Sequence, residues 1–193
     1  EPGDTAGTIA LTPSSNVYVC TTTYAAVNPD LYSVPASEDW DIAYTNWLEK
    51  MIALQKPVFL ICHSFQIACR HFELGSVGLR KSMQIGILPV HPLTEDSLFN
   101  QLQDPFYALE SRHYQITAPN DEKIQQMGAK IIALEKIRPQ VPLERAIMAV
   151  QFSEKMYGVQ FHPEGEKNIL LDFFNEVGMK NNIIEKFGEN KWN

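Results

Sequence analysis

The chain has 193 residues, 45% hydrophobic, 20% charged and 10% aromatic, which is the make-up of a globular protein and excludes a disordered, collagenous or fibrous one. Sixteen basic against 23 acidic residues leave a net charge of −7, and without a basic stripe neither DNA nor RNA is expected as a partner. No apolar run approaches the roughly 20 residues that span a bilayer. Glu1 to Val19 also lacks the basic-then-apolar pattern of a signal peptide.

The length suits one hydrophobic core, so residues 1–193 are read as a single domain. The cysteines Cys20, Cys62 and Cys69 are an odd, sparse set. That usage fits a reduced, cytoplasmic thiol protein better than a disulfide scaffold.

In chain order, a short strand is predicted at Asn16–Cys20. Ser37 then caps a helix whose first turn holds Glu38, Asp39 and Asp41, as the helix dipole favours. Trp40, Ala43, Tyr44, Trp47, Leu48, Met51 and Ile52 recur at helical spacing and predict one apolar face. Pro57 ends that segment. Val58–Ile61 is wholly apolar, the pattern of a strand covered on both sides. A helix follows at once, with Phe65, Ala68, Cys69 and Phe72 on one face and Gly75 as its stop.

Further along, Ile85–Val90, Phe106–Ser111 and Tyr114–Thr117 read as strands, with a short helix at Glu95–Leu102. Glu122–Met127 reads as a helix and Lys130–Glu135 as a strand. Ala146–Phe152 and Tyr157–Phe161 read as a hairpin turning at Glu154 and Lys155, and a last helix is predicted over Asn168–Val177. This alternation predicts an α/β fold of three layers, a mainly parallel open sheet flanked by helices. Functional groups then belong at the carboxyl ends of strands.

Cys62 sits between a buried strand and a helix. The helix's first N–H groups and positive end favour a thiolate there, and the His63 N–H is placed to meet an oxyanion. A hundred residues later Gly158-Val159-Gln160-Phe161-His162-Pro163-Glu164 ends another strand at a histidine, with a carboxylate two positions on. A thiolate needs a base, and an imidazole needs a carboxylate to set its tautomer. Cys69 and Cys20 read as core thiols. His71 reads as a surface or capping residue, His91 as a strand-end residue, and Glu135, Lys136 and Arg138 as a solvated charged rim. No Cys/His set has zinc spacing, and no phosphate-binding glycine motif occurs.

Leu60-Ile61-Cys62-His63-Ser64-Phe65-Gln66 together with the Gly158–Glu164 motif resembles the class I (triad-type) glutamine amidotransferases, from about Trp40 to about Asn175. The resemblance implies a flavodoxin-like architecture with a nucleophile elbow at the strand–helix junction. It implies Cys62 as nucleophile forming a γ-glutamyl thioester, His162 as acid/base and Glu164 as its orienting partner. It places His63, Gln66, Ser111 and His113 at the oxyanion or substrate. Glutamine or a related amide is the implied substrate, with no metal or organic cofactor. A separate synthetase subunit is the implied ammonia acceptor, and a homodimer is a further expected partner arrangement.

Three departures stand against the family pattern. Leu60 occupies a glycine position and is expected to narrow the pocket or shift the turn. Ser64 replaces the second glycine and is small enough to fit. No glycine lies between Gly7 and Gly75, although the family draws an oxyanion donor from a glycine-rich loop near Leu31–Glu38. The N-terminal part is accordingly expected to be shortened or incomplete. Three alternatives stay open: a γ-glutamyl or other amide hydrolase, Cys62–His63 chemistry as in the PfpI superfamily, and an impaired binding or regulatory module on the same fold.

Overall fold

A computed structural model describes residues 8–11, 18–21, 39–93, 98–137, 139–140, 143–165, 181 and 184–185. The chain divides into two compact units, Glu1–His162 and Pro163–Asn193. The first contains strands β1 (Thr8–Leu11), β2 (Tyr18–Thr21) and β3 (Val58–Ile61), and the long β4 (Ser76–Pro92) and β5 (Phe106–Thr117). It also contains β6 (Lys130–Glu135), β7 (Ile147–Ser153) and β8 (Met156–Val159), with helices α1 (Asp39–Ala53), α2 (His63–His71) and α3 (Asp121–Met127). In the second, 163–164 form a turn and 181 and 184–185 are helical. The predicted helix over 168–177 and the expected glycine-loop region at 31–38 lie outside the described residues.

The strands form one sheet in the order β1-β2-β3-β8-β7-β6-β4-β5. The α/β expectation holds, but its mainly parallel detail is corrected. Only β2–β3 and β3–β8 pair parallel, and the other five pairings are antiparallel. A parallel neighbour needs a crossover of a dozen or more residues, whereas antiparallel strands need only a short turn. Among the described residues from β6 to β8 there is no helix, and β6, β7 and β8 pair antiparallel in succession. The described part of the helix predicted at 95–102 is a turn, 98–101, followed by a bend. The strands predicted at Phe106–Ser111 and Tyr114–Thr117 are one strand. β1 and the first half of β4 have no counterpart in the sequence reading.

Two cores lie on the two faces of the sheet. Val58 and Leu60 of β3 enter one, and Ile61, with Phe59 packed against it, enters the other. The all-apolar run thus has the double burial expected of it. Helices α1, α2 and α3 all contribute to the first core: Leu48 and Met51 from α1, Phe65, Ala68 and Cys69 from α2, with Ile124 and Met127 of α3 packed against it. The second core is closed by Phe99, Phe106 and Phe161 with Val90 and Ile132.

The α1 face needs one correction. Ala43 is exposed and Thr45 is buried, because the buried stripe centres on Leu48 and position 45 lies nearer to it than 43 does. Gly75 does not stop α2, which ends at His71 with Glu73 in the left-handed region at φ 55°. A Cβ on Gly75 would lie 2.9 Å from the Thr117 carbonyl oxygen and 3.0 Å from Ile116 Cγ2. The glycine is required by the close approach of β5.

Candidate active site

The sharp turn between β3 and α2 is made by one residue. Cys62 has φ 52° and ψ −102°, a conformation that costs a non-glycine residue about 1–3 kcal/mol and needs surrounding structure to hold it. Two backbone hydrogen bonds supply that hold. Cys62 N–H donates to the Val159 carbonyl at 2.8 Å, and the Cys62 carbonyl accepts from Gln66 N–H at 3.0 Å. The thiol side chain is therefore presented at the first turn of α2, half-buried.

The parallel register brings the second motif to the same place. Ile61 lies opposite Val159, so Cys62 and the Gln160–His162 segment both leave the carboxyl ends of neighbouring strands. β5 meets them there. The Leu109 carbonyl accepts from His162 N–H at 2.8 Å, and the Ser111 carbonyl lies 4.0 Å from Cys62 Sγ. Residues two apart on a strand point their carbonyls to the same edge, and β5 is the last strand of the sheet. Its outer edge, which pairs with no other strand among the described residues, thus faces both motifs.

Gln160 is fully buried and Gln66 nearly so. Gln66 Nε2 donates to Gln160 Oε1 at 2.9 Å, and Gln160 Nε2 lies 3.6 Å from Cys62 Sγ. Gln66 is thus close to the thiol through Gln160, which the sequence reading passed over as a motif letter. Its place opposite Cys62 in a parallel pair was the signal for it. His63 and Ser64 are buried at the start of α2. His162 is half-buried, His113 is exposed on β5, and Glu164 is exposed in the turn of the second unit.

The Leu60 side chain is fully buried in the core beneath α2. Cys69 is a core thiol as read, and burial pushes its thiol well up. His71 pairs with Glu49 at 3.0 Å and His91 with Asp104 at 2.7 Å.

Glu135 does not belong to a solvated rim. It is buried, accepting from Arg80 at 2.9 Å with Arg112 at 3.6 Å, and Arg112 also donates to Glu110 at 2.8 Å. Lys136 is half-buried, and Arg138 lies outside the described residues. Burial pulls the Arg112 guanidinium below its usual range, against the opposing pull of Glu110. Among the described residues no three His, Cys, Asp or Glu side chains are grouped to hold a metal ion.

Residues 38–170 match the family profile of glutamine amidotransferase class-I. A search of curated protein sequences returns no match. Among solved structures, the chain is similar to a glutamine amidotransferase from Thermotoga maritima. The TM-score is 0.63 at 15% identity, over 89% of this chain and 65% of that one. It is also similar to the glutaminase domain of a Trypanosoma brucei CTP synthase with bound acivicin, with TM-score 0.55 and 15% identity over 68% of this chain and 61% of that one. A third similar structure is a putative GMP synthase component from Thermoplasma acidophilum, with TM-score 0.50 and 19% identity over 76% and 70%. The chain spans just under two thirds of the length of the first of these.

Proposed function

The chain belongs to the class I glutamine amidotransferase family, and from that premise we propose that it hydrolyses the side-chain amide of glutamine through a thioester on Cys62. His162 takes the thiol proton and the sulfur attacks the amide carbon. The N–H groups opening α2, His63 first, stabilise the oxyanion. His162 then protonates the departing nitrogen, and ammonia leaves. Water, deprotonated by the same imidazole, cleaves the thioester to glutamate and restores Cys62. Glu164 orients the imidazole, while Gln66, Ser111 and His113 border the substrate. None of these steps calls for a metal or organic cofactor. The released ammonia is taken up by a synthetase, and the free thiol suits the reducing cytoplasm.

The observation that carries this reading is the positive φ of Cys62, tied by its N–H to the last residue of β8, from which the chain runs on to His162. The test is ammonia release from glutamine, combined with labelling by a glutamine-analogue inhibitor. Wild type should take up one label on Cys62, and Cys62→Ala should take up none. His162→Ala should release ammonia at least 10²-fold more slowly, as loss of an acid/base group does. Labelling elsewhere, or ammonia release that survives Cys62→Ala, overturns the proposal. Loss of activity in His63→Ala with His162→Ala intact would transfer the role of base to His63.

A further inference from the structure

Two buried carboxamides form a short relay that ends on sulfur. Gln66 Nε2 donates to Gln160 Oε1 at 2.9 Å, which leaves Gln160 Nε2 turned to Cys62 Sγ at 3.6 Å. Gln160 is 0% exposed and Gln66 3%, and a carboxamide taken out of water is costly unless its hydrogen bonds are made. The Gln160 backbone is fixed as well, its N–H donating to the Met148 carbonyl at 2.8 Å. The Ser111 carbonyl lies 4.0 Å from the same sulfur.

These two neighbours treat the two forms of the sulfur differently. A thiol can give its S–H to the Ser111 carbonyl. A thiolate is repelled by that oxygen and attracted by the N–H of Gln160, because a hydrogen bond to a charged form favours that form. We propose that Gln160 is a catalytic residue whose carboxamide donates to the Cys62 sulfur and stabilises it as the anion. Gln66 is a positioning residue that keeps the nitrogen of Gln160, and not its oxygen, toward the sulfur. The S–H bond breaks, its proton passes to the base, and the electron pair stays on the sulfur, where the Gln160 N–H holds it. When the sulfur bonds to carbon this charge moves to the substrate oxygen, and Gln160 releases it. The role rests on the reading of Cys62 as the nucleophile.

Alkylation by iodoacetamide at pH 7 tests it without any glutamine, with intact mass following the rate and peptide mapping fixing the site. In the full chain Gln160→Met, similar in shape but without a donor, should alkylate Cys62 roughly tenfold more slowly, the scale of one charge-assisted hydrogen bond. Gln160→Glu places an acceptor-only carboxylate at the sulfur and should be slower still. Gln66→Met should lose a smaller factor. A wild-type rate in folded Gln160→Met overturns the proposal. Should that variant not fold, unchanged rates in Gln160→Glu and Gln66→Met overturn it equally. Unchanged alkylation beside intact ammonia release would remove this role and leave the proposed function standing. Slowed alkylation in a protein that releases no ammonia would do the reverse.

Discussion

Gly158 shows how tightly the ground beneath the Cys62 turn is packed. A Cβ there would lie 2.6 Å from Phe65 Cδ2, 2.8 Å from Phe152 Cε2 and 3.4 Å from Leu60 Cβ. Gly158 lies opposite Leu60 across the parallel pair, so the large residue and the missing side chain stand side by side. Leucine at a family glycine position is tolerated here because its side chain enters the core. Both rings belong to packed aromatic pairs, Phe65 with Phe152 and Phe72 with Phe152, and have little freedom to yield. Gly158→Ala is therefore expected to destabilise the protein by about 1–3 kcal/mol, the usual cost of overpacking, read as a lowered urea midpoint. In the sequence this glycine was legible only as a motif letter. What it makes room for depends on a ring from α2 and another from β7.

At the scale of elements, β5 carries the site's outer wall. Its inward side holds Glu110 and Arg112, 1% and 3% exposed, while its outer edge offers the Leu109 and Ser111 carbonyls to His162 N–H and Cys62 Sγ. The ion pair joins β5 to Glu135 of β6, which Arg80 of β4 also reaches. A buried pair contributes little compared with an apolar one, but removing one partner strands a charge. Arg112→Met is expected to cost about 3–5 kcal/mol in urea denaturation. The double variant Arg112→Met/Glu110→Leu should recover much of that loss, and a double variant no more stable than the single one would refute the pairing argument. The alternation Glu110, Arg112, Tyr114, Ile116 was visible in the sequence as a period of two. Charges at two of the four positions hid that it was the buried face, because the compensating partners come from strands far along the chain.

For the whole molecule, stability should fall at alkaline pH. Cys69 lies in the core shared by the three helices and the sheet, and burial raises its thiol well above the ordinary value. The folded state keeps this proton to higher pH than the unfolded chain does. The stability so gained is complete below roughly pH 8.5, where the unfolded thiol begins to ionise, and is lost as pH rises toward the folded value. Between about pH 9 and 10 the slope is about 1.4 kcal/mol per pH unit at most. Urea unfolding of Cys69→Ala across that range should be flatter than wild type by that slope, although the variant starts from lower stability because of its cavity. Equal slopes would mean that the thiol meets water in the folded protein. No described helix is long and apolar enough to cross a membrane.

The strand read as running to Phe161 stops at Val159, so His162 lies three residues beyond it. Legible in the sequence were the α/β class, β3 as a strand buried on both faces, the α2 face, the β7–β8 hairpin, and Cys62 at a strand end. Each of these follows from near-neighbour patterns, because periodicity and turn chemistry act within a few residues. What local patterns left open is that most strands pair antiparallel, that the outer edge of β5 meets the two motifs, that Glu135 is buried among arginines, and that Gln160 stands against the sulfur. Those outcomes depend on which distant segments share an edge or a core. No local pattern encodes that choice, because the energy that makes it comes from contacts between segments remote in the chain.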